Sequence, residues 1–350
     1  MAKVTIDGIT AEVPDGTTIL NAARMIGGEI VPPAMCYYSK LKTSGGYCRT
    51  CIVKVTKGSE KDPRPMPKPV ASCRTTVMDG MEVQNITAPD LLEARAGVVE
   101  FLLLNHPLDC PVCDQAGECD LQNLAYENGK EGTRYEFPRR EFERKDIGTK
   151  VQLHMNRCIL CYRCVKVADQ LTDGRVHGVI NRGDVSEIST YIENVIENDF
   201  SGNVIDVCPV GALTDKTFRF KSRVWYTKPV DAHRDCDKCC GKVRLWYKGD
   251  DVLRVTVRRD AYGEVQNLED GKAAWICNSC RYDKKQTSDW TIEGPAHIAS
   301  SSVISANHYE SLRALKKVTT KQLQSAQPHG VKSPLGYGAL NPNNEHAHKG

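Results

Sequence analysis

The sequence has no long apolar run. Its strongest, Val98 to Leu104, is broken by Glu100 and is far too short to span a bilayer, so no direct membrane insertion is expected. The opening MAKVTIDGIT places Asp7 where a signal peptide needs apolar residues. Neither sign of charge is in excess: 47 Lys and Arg against 44 Asp and Glu leave +3 over 350 residues. That balance gives no electrostatic case for a nucleic-acid or membrane-surface binder. Aromatics are sparse at 7%. Also missing are a G-x-G-x-x-G after a strand, a Walker motif, H-E-x-x-H and G-x-S-x-G, so no NAD, flavin or nucleotide site and no catalytic residue of its own is expected. The expectation is a soluble, cytosolic protein of two or three domains, in a compartment where thiols stay reduced.

What the chain does have is cysteine, sixteen residues that fall into four groups: Cys36, Cys48, Cys51 and Cys73; Cys110, Cys113 and Cys119; Cys158, Cys161, Cys164 and Cys208; and Cys236, Cys239, Cys240, Cys277 and Cys280. A two-residue gap recurs at 48/51, 110/113, 158/161, 161/164, 236/239 and 277/280. Scattered core cysteines would not repeat it. The gap lets two thiolates on one tight turn converge on one metal centre, and in a reducing compartment metal or redox chemistry is favoured over disulfides.

The first segment predicts a small β-rich module. Lys3 to Ile6 alternate, Asp7-Gly8 is a hairpin-turn dipeptide and Thr10 to Val13 alternate again. Asp15 to Thr18 offer caps for a helix through Leu20, Ala22, Ala23 and Ile26, stopped by Gly27-Gly28. A strand over Cys51 to Thr56 and a proline-rich loop from Pro63 to Pro69 complete a β-grasp pattern. The chemistry sits in Ser44-Gly45-Gly46-Tyr47-Cys48-Arg49-Thr50-Cys51, where glycines let backbone N–H groups approach sulfur. Four thiolates suit 2Fe–2S or zinc by count. The glycine-rich loop between a helix and a strand favours 2Fe–2S.

Cys36, eleven residues, Cys48, two residues, Cys51 and then Cys73 depart from the shorter first gap of plant-type ferredoxins. The pattern resembles the N-terminal domain of the iron–sulfur G subunit of bacterial respiratory complex I, NADH:quinone oxidoreductase. Electron-transfer subunits of NAD-linked hydrogenases and formate dehydrogenases share that domain. The resemblance covers roughly residues 1 to 225 and strengthens downstream. A helix over Ala88 to Leu104 is followed by Asn105-His106-Pro107-Leu108-Asp109-Cys110-Pro111-Val112-Cys113 and Cys119. Three thiolates leave a site one ligand short, and His106 stands four residues before the first. A histidine here could simply cap the helix, but the missing ligand outweighs that. The resemblance implies the same, since this is the family's pattern for a 4Fe–4S cluster held by one histidine and three cysteines. A neutral imidazole in place of a thiolate removes one negative charge and, taken alone, raises the reduction potential.

Cys158, Cys161 and Cys164, with Cys208-Pro209 arriving later, resemble half of a bacterial ferredoxin. Ala168 stands where a two-cluster ferredoxin would carry a further cysteine, so Cys208 is expected to close the same 4Fe–4S site; zinc is the alternative. The fourth group departs from the family's further C-x2-C-x3-C motif: Val243 occupies the third position and Cys240 is adjacent to Cys239. Cys236, Cys239, Cys277 and Cys280 are expected to form one four-coordinate site with Cys240 spare, holding either zinc or a 4Fe–4S cluster. Too few residues follow Cys280 in this sequence for the large molybdopterin-oxidoreductase-like domain of many family members.

The expected fold is multidomain α+β. Its parts are a 2Fe–2S ferredoxin-type β-grasp domain over 1–85, a small helical 4Fe–4S domain with one histidine and three cysteine ligands over 86–140, and a ferredoxin-like 4Fe–4S domain over 141–228. A short β-rich, cysteine-rich metal-binding module over 229–300 follows, and then a docking helix (Tyr309 to Leu323) and disordered tail over 301–350, where His346 and His348 are solvated. A string of redox centres without a substrate pocket reads as a wire. The resemblance implies an electron-relay subunit in the peripheral arm of NADH:ubiquinone or menaquinone oxidoreductase, a proton-translocating enzyme. Its partners would be a flavin- and NADH-binding subunit and other peripheral-arm subunits, and its place the cytoplasmic face, peripheral to the inner membrane. Two alternatives stay open: the diaphorase electron-transfer subunit of an NAD-linked hydrogenase or formate dehydrogenase, and a zinc-dependent scaffold.

Overall fold

A computed structural model describes residues 1–296 apart from 131, 144, 173–176 and 191–197. The expected docking helix and polar tail lie outside the described residues.

Alternation builds the first sheet. Strand β1 (Ala2–Ile6) buries Ala2, Val4 and Ile6 and turns the residues between them outward. It turns at Asp7-Gly8, both at positive φ, into antiparallel β2 (Ile9–Val13). Helix α1 (Ile19–Ile26) starts where the Thr18 hydroxyl accepts the Asn21 N–H at 3.3 Å and stops at Gly27, φ 81°, whose N–H returns to the Ala23 carbonyl. With β3 (Ile52–Lys57), β4 (Val70–Ala71) and β5 (Met81–Gln84), the sheet order is β2-β1-β5-β3-β4, and β5 runs parallel to β1. Ile19, Ala22 and Ala23 pack on Val4, Val53, Val55 and Val83 as one core. Each large aliphatic buried there contributes about 1.5–3 kcal/mol. The arrangement is a β-grasp.

Helix α2 (Pro89–Leu103) begins with proline in its first turn, and α3 (Asp120–Asn128) packs against it. Strand β6 (Val151–Leu153) follows, then α4 (Arg163–Leu171) and the hairpin β7 (His177–Ile180) and β8 (Glu187–Thr190). Helix α5 (Asn203–Val207) precedes β9 (Leu213–Asp215), which pairs with β6. The last sheet is antiparallel, order β12-β11-β10-β13, from β10 (Lys228–His233), β11 (Lys242–Lys248), β12 (Asp251–Thr256) and β13 (Thr291–Pro295). Strands β11 and β12 fall in the stretch expected to be β-rich. The flanking β10 and β13, far apart in the chain, carry no clear alternation.

The last sheet does not have a core of its own. Val243, Leu245 and Val255 belong to one continuous cluster with Val167, Val204 and Val207 of the middle region and with Tyr38 of the first loop. A buried ion pair crosses the same boundary. Arg254 on β12 donates to both carboxylate oxygens of Glu118, at 2.5 and 3.0 Å, with each side chain under a tenth exposed. Burial opposes ionisation of Glu118, and the Arg254 charge overcomes it, holding the carboxyl below its ordinary value. Arg254→Ala strands that carboxylate in the interior, so a loss of about 3–5 kcal/mol is expected in denaturant unfolding.

Candidate metal centres

The first group lies where the sheet meets the loop after α1. Cys36, Cys48, Cys51 and Cys73 are all buried. The N–H groups of Tyr47 and Cys48 point at Cys36 Sγ, at 3.3 and 3.4 Å. Gly45, φ +97°, sits so close that an added Cβ would lie 3.1 Å from Cys73 Sγ and 3.3 Å from the Tyr37 ring. The cradle therefore admits backbone but no side chain, as a sulfur-rich group with amide donors requires. Hydrogen bonds from the Cys48 and Cys73 thiols pull Cys36 far down toward the thiolate against the effect of burial.

His106 follows α2, with its N–H on the Leu103 carbonyl. Its imidazole is pulled down to about 4, chiefly by burial, and is neutral at physiological pH, the form that ligates metals. Its buried Nδ1 has no hydrogen-bond partner among the described residues. Cys110 opens a 3-10 turn (Cys110–Val112) and is exposed; Cys113 and Cys119 are buried, Cys119 at the N-terminus of α3. Gly211 packs directly on this group, because a Cβ there would collide with Cys113 Sγ. A buried, neutral imidazole with an unpartnered nitrogen, four residues before Cys110, suits a centre held by one histidine and three cysteines.

In the third group, Cys158, Cys161, Cys164 and Cys208 line one apolar cavity with Leu153, Ile159, Ile188 and Val210. The turn is tight enough to hold Leu160 and Tyr162 at positive φ, 52° and 62°. The Leu160 N–H points at Cys158 Sγ at 3.3 Å. Burial pushes Cys161 up to about 12 and raises Cys158 and Cys164 as well. Left alone, the cavity holds neutral thiols, and only a cation that takes them as thiolates makes full use of it. Ligand count and apolar wall suit a cubane.

The fourth group brings Cys236, Cys239, Cys277 and Cys280 together, all four Sγ atoms within 4.8 Å of one another. Cys236 and Cys239 lie in the β10–β11 connection; Cys277 and Cys280 enter a π-helical turn (Ser279–Asp283). Cys240 faces elsewhere, its thiol 3.7 Å from the Trp275 carbonyl.

Sequence reading missed what joins the groups. Arg163, one residue before Cys164, donates at 2.8 Å to the carbonyls of Ala34 and Tyr37, on either side of Cys36, and at 3.4 Å to Val207, beside Cys208. Arg157, one residue before Cys158, donates to the Asp109 carboxylate beside Cys110 and to the Gly211 carbonyl. Arg281, one residue after Cys280, pairs with Asp206 on α5, both side chains 1% exposed. The signal was present as an arginine next to a cysteine each time, though adjacency alone does not say which carbonyl the guanidinium reaches.

Cysteine turns of this kind, cradled by backbone N–H groups or closed on an apolar void, place the chain in the class of multi-centre iron–sulfur proteins. Family models match three stretches. Residues 1–88 match a 2Fe-2S iron-sulfur cluster binding domain, 95–134 the NADH-ubiquinone oxidoreductase-G iron-sulfur binding region, and 148–214 the ferredoxin-like domain of NADH-quinone oxidoreductase subunit 3. The chain is 36% identical over 339 residues to the NADH-quinone oxidoreductase G subunit of Rickettsia bellii, covering 96% of this chain and 46% of that protein. It is 42% identical over 282 residues to the NADH-ubiquinone oxidoreductase 75 kDa subunit of Reclinomonas americana, covering 81% and 38%. It belongs to the family of the NADH-quinone oxidoreductase G subunit, and spans less than half the length of these two relatives. A chain in the crystal structure of an NAD+-reducing [NiFe]-hydrogenase in the H2-reduced state superposes with TM-score 0.54 at 25% identity, over 64% of this chain and 91% of that one.

Gly211→Ala tests the second group without touching a candidate ligand. The added methyl drives into Cys113 Sγ and should lower the iron held by the full chain by about four atoms. Gly249→Ala, at a positive-φ glycine with open space around it, should leave iron content unchanged.

Proposed function

We propose that the chain is an electron-relay subunit of NADH:quinone oxidoreductase. In this reading Cys36, Cys48, Cys51 and Cys73 hold a 2Fe–2S cluster, and His106, Cys110, Cys113 and Cys119 a 4Fe–4S cluster. Cys158, Cys161, Cys164 and Cys208 hold a second 4Fe–4S cluster. Such clusters, when bound, supply one-electron transfer. The chain's own residues do the rest. Amide N–H groups at Tyr47, Cys48 and Leu160 aim at sulfur and offset negative charge there. Leu153, Ile159 and Ile188 wall the third site with carbon. His106 stays neutral, so its centre carries one negative charge fewer than an all-cysteine centre.

The observation that carries the proposal is the placement of Arg157 and Arg163, each reaching from one candidate ligand turn to the flanks of another. Independent structural metal sites need no such ties. A relay needs its centres held at fixed separations. Partners in this reading are a flavin- and NADH-binding subunit and the other peripheral-arm subunits, with the assembly on the cytoplasmic face of the inner membrane. No helix among the described residues is long and apolar enough to cross a membrane. A second reading, the electron-transfer subunit of an NAD-linked hydrogenase, draws support from the hydrogenase likeness. That likeness covers 64% of the chain, against 96% for the Rickettsia bellii protein.

The test is direct. The full chain should carry about ten iron atoms in these three centres, and should not reduce ferricyanide with NADH until a flavoprotein subunit is added. Iron near two atoms per chain, or NADH oxidation by the chain alone, contradicts the relay reading.

A further inference from the structure

The fourth cysteine group has two readings in the sequence, one zinc ion or a cubane, and the geometry separates them. Cys236 Sγ lies 3.8 Å from Cys277 Sγ, and Cys239 Sγ lies 3.7 Å from Cys280 Sγ. Four thiolates about 2.3 Å from one zinc form a tetrahedron with edges of about 3.8 Å. A cubane instead spreads its four thiolates over four separate irons, each thiolate outside the cube. Seating one here means prising both turns apart. The third group supplies an internal standard, because its four cysteines stand around an apolar cavity. Among the described residues, the fourth group is the one whose four sulfurs all converge within 4.8 Å.

We propose that Cys236, Cys239, Cys277 and Cys280 bind a single tetrahedral zinc ion, so that this part of the chain carries a structural metal and not a further redox centre. The claim goes beyond the relay reading and does not depend on it. The surroundings supply what a closed four-thiolate site requires. The Gly241 N–H points at Cys239 Sγ at 3.4 Å and the Cys280 N–H at Cys277 Sγ at 3.5 Å, each offsetting thiolate charge. Gly241 stands at φ 64°, and a Cβ there would collide with the Arg234 carbonyl, so the first turn closes only with glycine. Cys240 is directed to the carbonyls of Lys242 and Trp275, outside the tetrahedron. Val243, where the family motif carries its third cysteine, is fully buried in β11.

The position explains what the ion is for. It would fasten the β10–β11 connection to the turn at 277–283. That turn is tied to the middle region by Arg281 to Asp206 and by Asn278, which donates to the Asn198 carbonyl and accepts the Gly202 N–H. Zinc is redox-silent, so the fastening does not change with the charge state of neighbouring centres.

The experiment is metal analysis of the full chain with zinc-edge X-ray absorption. Expected are about one zinc per chain and a single shell of four sulfurs at about 2.3 Å. Cys240→Ala should keep that zinc. Cys236→Ser and Cys280→Ser should lose it or replace a sulfur by oxygen. Zinc absent, with about four more iron atoms than the three relay centres need, overturns the proposal. So does zinc with nitrogen or oxygen in the first shell of the unmodified chain, or zinc lost in Cys240→Ala. The absorption spectrum of the unmodified chain decides the matter even if the serine variants fail to fold. Iron measured on the same samples reports on the relay reading separately, since its three centres use none of these four cysteines.

Discussion

Arg163 is the contact on which the arrangement turns. Its guanidinium leaves the first turn of α4 beside Cys164 and reaches the carbonyls of Ala34 and Tyr37, which bracket Cys36. Hydrogen bonds from a charged donor contribute about 1.5–3 kcal/mol each when buried, and the Arg163 side chain is 8% exposed. Its face lies over the Tyr38 ring, 5.2 Å to the centroid, and that ring stacks on Trp275. The Tyr38 hydroxyl accepts the Val265 N–H at 2.7 Å. One arginine and one tyrosine thus meet where the first loop, the ferredoxin-like region and the segment between β12 and β13 come together.

The same device recurs with different partners. Arg157 links the second and third groups, and Arg281 ties the fourth to α5. Arginine suits the task because its planar fork can satisfy several acceptors while staying charged in the interior. The charge has a second use. Thiolate centres are negative, and buried guanidinium groups nearby offset that charge without offering a ligand. The hub is the middle region, whose candidate ligand turns carry Arg157 and Arg163 and whose α5 receives Arg281.

Much of the local structure was legible in the sequence for simple reasons. Alternation in Lys3 to Ile6 and Thr10 to Val13 with Asp7-Gly8 between them specifies β1 and β2, Thr18 and Gly27 bound α1, and two-residue cysteine gaps mark each candidate metal turn. The candidate residues of the fourth group could be chosen from spacing too, including the exclusion of Cys240, because adjacent side chains diverge. Long-range ties could not be read this way. The Glu118–Arg254 pair joins residues 136 apart and the Arg24–Glu264 pair residues 240 apart, and a charged residue at such a position looks like any solvated one. Nor does spacing say how far apart four sulfurs stand, the quantity that distinguishes one ion from a cubane.

The central claim is that Arg163 makes the first and third cysteine groups one mechanical unit. Hydrogen–deuterium exchange on Arg163→Ala measures this most directly. The account predicts that 34–38 and 158–164 both lose protection, by about ten- to a hundredfold, while the β1–β2 hairpin is unchanged. Loss confined to 158–164, with 34–38 as protected as before, would contradict it.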